Sequence, residues 1–301
     1  MSNDRANLPT ESANPASAEL DLLSTADAVA LMQSEDRAVH AAVEAARASI
    51  VAAIELIAAR WRQGGRLFYL GAGTSGRLAM LDAVECPPTF QSSPDMVQAV
   101  VAGGTAALTG AVEGAEDDKL AAGKELDQRG LSARDVVFGI AASGTTPFVR
   151  AGLEHARRKG SATIFLACVP RELVADDADV SIRVVTGPEV VTGSTRLKAG
   201  TATKLVLNTI TTLAMVRLGK VHGNLMVAVN TRGNAKLEDR GIRLVAHLCA
   251  CDRENAARWL AAADGQVQVA VLMARLSLTA CAAQTRLQKH QGSLRAALRG
   301  D

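Results

Sequence analysis

Three short stretches carry the chemistry this chain offers most plainly: Thr74-Ser75, Ser143-Gly144-Thr145-Thr146-Pro147 and Thr192-Gly193-Ser194-Thr195-Arg196-Leu197-Lys198. Each sets hydroxyl side chains beside glycine just ahead of a helical pattern. The first turn of a helix leaves backbone N–H groups unpaired and carries the positive end of the helix dipole, so such a start suits a phosphate. Ordinary capping explains any one of these loops. Three at the same end of one sheet, the last with Arg196 and Lys198, favour a phosphorylated sugar or similar small ligand. The candidate contacts are Thr74, Ser75, Ser143, Thr145, Thr146, Ser194, Thr195 and Lys198.

Two acidic stretches supply candidate proton carriers. Glu85-Cys86-Pro87-Pro88 follows the first predicted helix of the sheet region, and its prolines fix the chain and free the Glu85 carboxylate from helical duty. Glu113 and Glu116 are three apart in a predicted helix and so share a face. Alone, that pair reads as a solvated acidic turn. With a sugar phosphate nearby, two carboxylates can act as base and acid at a carbon and an oxygen of the sugar.

Gly71, Gly73 and Gly76 match G-x-G-x-x-G, which raises a dinucleotide site. That reading needs an acid closing the second strand to hold the ribose hydroxyls. Here the second strand ends in Gly103-Gly104, and the nearest acid, Asp95, precedes it. Phosphate on a small ligand fits better. The five histidines have no Ser or Cys partner at recognisable spacing. Of the five cysteines, only Cys249 and Cys251 are close together, with no further ligand at metal spacing.

Elements that could position these residues follow from the hydrophobic periodicity. Short apolar runs at 67–70, 97–102, 136–141, 162–167 and 181–185 read as strands, alternating with helical stretches at 75–84, 106–129, 147–159, 172–177 and 199–218. Such alternation predicts a doubly wound α/β domain with a parallel sheet. Ahead of it, residues 1–24 read as an extended arm, Ser24 to Asp27 as the cap of a short helix through Met32, and 35–62 as one long amphipathic helix. Beyond Lys220 the strand pattern stops. The polar run Asn230 to Leu237 reads as a connection, and Asp252 as the cap of a helix in an all-helical module with stretches at 267–276, 280–288 and 294–298. The predicted organisation is an N-terminal arm and long helix at 1–55, a sugar-phosphate-binding α/β domain at 56–220, and a linker with a small helical bundle at 221–301.

Composition narrows the class. Of 301 residues, 48% are hydrophobic and 21% charged, with 3% aromatic, so the core must be built from Ala, Val, Leu and Ile. A net charge of +2 without long basic runs argues against nucleic acid. No apolar run reaches the roughly 20 residues of a membrane span. The first residues lack the basic and apolar regions of a signal peptide, and the isolated cysteines suit a reducing cytoplasm.

Several stretches together resemble a known family. The Ser/Thr loops on a doubly wound sheet resemble the sugar isomerase (SIS) domain. The segments Thr10-Glu-Ser-Ala-Asn-Pro-Ala-Ser17, Leu70-Gly-Ala-Gly-Thr-Ser-Gly-Arg-Leu78, Glu85-Cys-Pro-Pro-Thr-Phe90, Glu113-Gly-Ala-Glu-Asp117, Gly139-Ile-Ala-Ala-Ser-Gly144, the run from Gly187 through Thr-Gly-Ser-Thr-Arg to Ala202, and Leu218-Gly-Lys-Val-His-Gly-Asn-Leu-Met226 are similar to the N-acetylmuramic acid 6-phosphate etherase family. The resemblance implies removal of D-lactate from the C3 ether of the sugar phosphate. It makes Glu85 the acid that protonates lactate and later the base for water, and Glu116 the other catalytic residue. It further implies no metal or organic cofactor, a homodimer whose site is completed across the interface, and a C-terminal bundle of ubiquitin-associated type.

Four positions depart from the family pattern: Thr145 stands where arginine is usual, Gln91 and Ala79 where glycine is, and Ala228 where aspartate is. Losing a guanidinium at Thr145 matters most, because arginine pairs with phosphate or carboxylate in a fixed fork. Two rivals remain on the same fold: an aldose–ketose isomerase, which needs no acid for lactate, and a non-enzymatic sugar-phosphate sensor, which needs neither carboxylate.

Overall fold

In the computed structural model, which describes residues 7–229, 231–233 and 235–300, five apolar runs form one parallel sheet. They are β1 (Leu67–Gly71), β2 (Val97–Val101), β3 (Val136–Ile140), β4 (Ala162–Ala167) and β5 (Val180–Arg183). Their order is β2-β1-β3-β4-β5, with Leu67 opposite both Val97 and Val136. The chain moves outward from β1 to β2 and then returns to the other side of β1 for β3. The carboxyl ends of β1 and β3 therefore flank the switch point where open α/β sheets bind ligands.

Helices α1 (Thr25–Ala45), α2 (Arg47–Arg62), α3 (Gly73–Phe90), α4 (Ala106–Thr109), α5 (Ala121–Gln128), α6 (Pro147–Arg158) and α7 (Lys198–Arg217) accompany the sheet. Side chains alternate between its faces. Phe68, Leu70, Val137 and Phe165 pack with Leu126 of α5 and with Phe148, Val149 and Leu153 of α6. On the opposite face lie Leu67, Tyr69, Phe138 and Ile164, all fully buried, with the Tyr69 and Phe138 rings 5.4 Å apart. The doubly wound reading is correct.

Backbone contacts divide the chain into two units, one of residues 1–83 with 95–211 and the other of 84–94 with 212–301. The second unit is helical, with α8 (Ala235–Cys249), α9 (Arg253–Ala262), α10 (Val267–Leu276), α11 (Ala280–Lys289) and α12 (Leu294–Arg299). Val245, Leu260, Val271, Leu272 and Leu294 form its core, and Asp252 caps α9 by accepting from Asn255 N at 2.7 Å. Of the polar run 230–237, Asn230 and Asn234 lie outside the described residues, and α8 starts within it at Ala235.

Six expectations are corrected. Ser24 does cap a helix, but α1 runs on to Ala45, and the single helix expected over 35–62 is broken at Ala46 (φ −83°, ψ 5°). The break lets α2 bury Ile50, Ile54, Ile57 and Trp61, while α1 buries only Val39. The N-terminal segment is not extended from residue 7 on: it forms a turn and two 3-10 helices, Pro15–Ser17 and Leu20–Leu22. Residues 1–6 of the expected arm lie outside the described residues. Helix α3 does not stop at Val84 but carries Pro87 and Pro88 inside it. Each proline removes one backbone donor without ending the spiral, and Gln91 N still bonds Pro87 O at 2.9 Å.

The helix expected over 106–129 is broken in two places. Gly110 is extended and Gly114 left-handed (φ 72°), so only α4, a single 3-10 turn Ala115–Asp117, and α5 survive. Asp118 then starts α5 by accepting from Leu120 N and Ala121 N. Residues 172–177 are not helical either. There the Asp176 carboxylate bonds Ser181 Oγ, Ala178 N and Arg183, holding the backbone in a loop.

Candidate active site

The loops leaving β1 and β3 start helices with open first turns. At the first, a Cβ on Gly71 would lie 2.7 Å from Gly76 N, and one on Gly76 would lie 2.6 Å from Val101 Cγ1. The glycine spacing thus serves a close helix–strand approach. At the second, Thr146 precedes α6, with Pro147 in its first turn and no side-chain cap, so its hydroxyl stays available. Ser143 Oγ and Thr145 Oγ1 are 2.9 Å apart. At the start of α7, a Cβ on Gly200 would lie 3.5 Å from Thr74 Cγ2, which brings two helix starts face to face.

Between them is a cavity of about 240 Å³, lined by Thr74, Ser75, Ser143, Thr146, Thr195 and Thr203, by Glu116 on its 3-10 turn, and by Glu11. The structure therefore brings together Thr74, Ser75, Ser143, Thr146, Thr195 and Glu116 from the predicted set. Arg77 holds the segment leading to Glu116, donating to Ala107 O at 3.0 Å and Gly110 O at 2.8 Å. Glu113 does not share a helix face with Glu116, because Gly114 turns the chain between them.

Four predicted residues lie elsewhere. Thr145 lines a separate groove of about 470 Å³ with Lys119, Arg150 and Asp177. Two of that groove's arginines are engaged within the protein: Arg150 donates to Ala175 O at 2.8 Å, and Arg157 pairs with Asp177 at 3.1 Å. Ser194 is a turn residue whose backbone N bonds Val191 O at 2.9 Å and whose carbonyl receives Leu197 N at 3.2 Å. Lys198 is buried and paired through Nζ with Glu35 Oε2 at 2.6 Å. The ammonium holds the Glu35 carboxyl below its ordinary pKa against the opposing effect of burial, with a further bond from Asn14 Nδ2 at 2.7 Å. Glu85 belongs to the second unit and is exposed on α3.

Sequence reasoning missed the residue that closes the start of α7. Glu189, fully buried, accepts from Lys198 N at 3.0 Å and Ala199 N at 2.9 Å. Two of the N–H groups that would have met an anion are therefore already taken. Beneath this cap, burial and the Glu189 charge push the Cys168 thiol up to about 12, which removes it as a nucleophile at neutral pH. Glu11 was also missed. It sits in the Thr10 to Ser17 stretch, whose resemblance to the etherase family was the only signal for it.

Comparison with known proteins bears on this geometry. Residues 49–157 match the model of the glucokinase regulatory protein N-terminal SIS domain. A protein of Parasynechococcus marenigrum named N-acetylmuramic acid 6-phosphate etherase is 54% identical over 99% of this chain and 94% of its own length. One of the same name from Mycolicibacterium smegmatis is 50% identical over 98% of this chain and 99% of its own. The solved phosphoheptose isomerase of Francisella tularensis is similar over 65% of this chain and 98% of that one, at 17% identity and a TM-score of 0.48. On identity and coverage at this level, the chain belongs to the N-acetylmuramic acid 6-phosphate etherase family.

Proposed function

We propose that this chain cleaves the C3 D-lactyl ether of N-acetylmuramic acid 6-phosphate, giving N-acetylglucosamine 6-phosphate and D-lactate, as a carbon–oxygen lyase of cell-wall amino-sugar recycling. The observation that carries the reading is a single cavity at the sheet's switch point that combines hydroxyl loops with the Glu116 carboxylate. Ser75, Thr74, Ser143, Thr146 and Thr195 offer hydroxyl donors for the 6-phosphate, and the open starts of α3 and α6 add N–H dipoles.

In this reading the sugar reacts as its open-chain aldehyde, which acidifies the C2 hydrogen. Glu116 removes that proton to leave an enolate, and the C3–O bond then breaks as Glu85 protonates the departing lactate oxygen. Glu85 then takes a proton from water, the hydroxyl adds at C3, and Glu116 returns a proton to C2. Each carboxyl ends in the state in which it began. The assignment of Glu85 rests on the Glu-Cys-Pro-Pro resemblance, and that of Glu116 on its position in the cavity as well.

The chain is further proposed to act as a cytoplasmic homodimer. Support comes from α1, where Val29 and Met32 are exposed and a single residue is buried, and from a cavity smaller than the roughly 300–1,000 Å³ usual for a complete small-molecule site. Among the described residues no single helix is long and apolar enough to cross a membrane. Sedimentation at micromolar concentration should give twice the chain mass, and an active monomer would refute the dimer. Incubation with N-acetylmuramic acid 6-phosphate should release D-lactate. Turnover of sugar phosphates without lactate would instead support the aldose–ketose isomerase, and binding without turnover the sensor.

A further inference from the structure

Glu11 reaches the same cavity from the N-terminal segment, and the way that segment is anchored gives its carboxylate a purpose. Leu8 is buried in the core beside Leu70 and Phe148, and its carbonyl accepts from Glu11 N at 2.9 Å and Ser12 Oγ at 3.0 Å. On the other side, Asn14 bonds Glu35 and Pro188 O, and Ser17 Oγ bonds Val190 O at 2.8 Å. The segment is therefore tied at both ends by residues other than Glu11. Among the described residues the Glu11 side chain has no hydrogen bond or ion pair of its own. Its Oε2 lies 3.4 Å from where a Cβ on Gly193 would stand, which places the carboxylate against the Thr-Gly-Ser-Thr loop.

Among the described residues, the cavity is lined by two carboxylates, Glu11 and Glu116, and by no lysine or arginine. An ionised carboxylate only accepts hydrogen bonds, so Glu11 needs donors, and the P–OH that inorganic phosphate keeps at neutral pH comes on an anion that the carboxylate repels. The hydroxyl and acetamido N–H groups of an amino sugar do. We propose that Glu11 is a specificity-determining residue of this site: it accepts hydrogen bonds from the sugar and repels inorganic phosphate from the hydroxyl loops. Selection then works in both directions, since one charge favours a phosphate that carries a sugar and disfavours a phosphate that does not. The inference rests on the sugar-phosphate reading of the cavity and adds the group that tells such a ligand from the free anion.

The test is calorimetry of the full chain with N-acetylglucosamine 6-phosphate and, separately, inorganic phosphate, for wild type, Glu11→Gln and Asn14→Ala. Glu11→Gln should lose about tenfold to hundredfold in affinity for the sugar phosphate, the scale of a hydrogen bond to a charged group, and should gain affinity for inorganic phosphate. Asn14→Ala, which loosens the segment and leaves the carboxylate, should shift both affinities in the same direction and lower Tm. Glu11→Gln that follows the Asn14→Ala pattern would make Glu11 a structural residue and overturn the inference. So would unchanged affinity for both ligands. Wild-type protein that binds inorganic phosphate but no sugar phosphate would refute the reading of the cavity itself.

Discussion

At the amino ends of β1 and β3, the Asp135 carboxylate accepts from Arg66 N at 2.8 Å, Arg66 Nη2 at 3.0 Å, Ser132 N at 2.8 Å and Ser132 Oγ at 2.9 Å. The same guanidinium also donates to Arg129 O and Gly130 O and lies 4.8 Å from the Phe68 ring centre. At the carboxyl ends of the same two strands, Glu11 and Glu116 face a cavity with no side-chain hydrogen bond or ion pair among the described residues. Both ends thus use carboxylates beside hydroxyls. At one end the carboxylate closes on its neighbours and the ensemble holds strands together; at the other the two cavity carboxylates are left for a ligand. Glu189 is the exception at the carboxyl end, a carboxylate spent on the start of α7.

The largest effect expected from breaking this contrast is on stability. Asp135→Ala strands a half-buried guanidinium and should cost about 3 kcal/mol in denaturant unfolding. Glu116→Gln, at the open end, should change stability by less than about 0.5 kcal/mol. Comparable losses in both would show that the two ends are not divided as described.

A smaller effect distinguishes residues within the open end. Ser143→Ala should weaken N-acetylglucosamine 6-phosphate binding about tenfold to hundredfold, whereas Ser194→Ala, outside the cavity, should leave it unchanged. Equal losses in the two variants would return Ser194 to the binding site.

The smallest effect is in the acid limb of stability. Burial works to raise the Asp135 pKa, but bonds from Arg66 and Ser132 outweigh it and hold the carboxyl below its ordinary value. A depressed folded-state pKa adds stability above the unfolded pKa of about 3.9, and that stability is lost as pH falls through the folded value. Wild type should therefore lose stability below about pH 4 more steeply than Asp135→Asn. Parallel curves would remove the ionic part of the contrast.

The strands were legible because short apolar runs between turns permit few alternatives, and 162–167 coincides with β4. The hydroxyl loops were legible as helix starts, and those leaving β1 and β3 supply most of the cavity's donors. Glu116 was placed on the wrong element, because acidic and alanine-rich sequence keeps a helical period through Gly110 and Gly114 even where backbone freedom breaks it. Lys198 looked free because its partner, Glu35, lies 163 residues away on α1. Glu189 looked like one acid among many, since nothing local shows that it folds back onto Lys198 N and Ala199 N. Long-range pairing decides which polar residues are spent on the fold, and spacing along the chain does not report it.

The central claim is that Glu116, in the cavity of the hydroxyl loops, takes the C2 proton of a bound sugar phosphate. It is tested most directly by following N-acetylmuramic acid 6-phosphate in deuterated water with wild type, Glu116→Gln and Glu85→Gln. Wild type should release D-lactate and place deuterium at C2 of the product. Glu116→Gln should lose both by about 10²–10⁴, and Glu85→Gln should lose lactate release on that scale while keeping more of the C2 exchange. Wild-type exchange and lactate release in Glu116→Gln would contradict the claim.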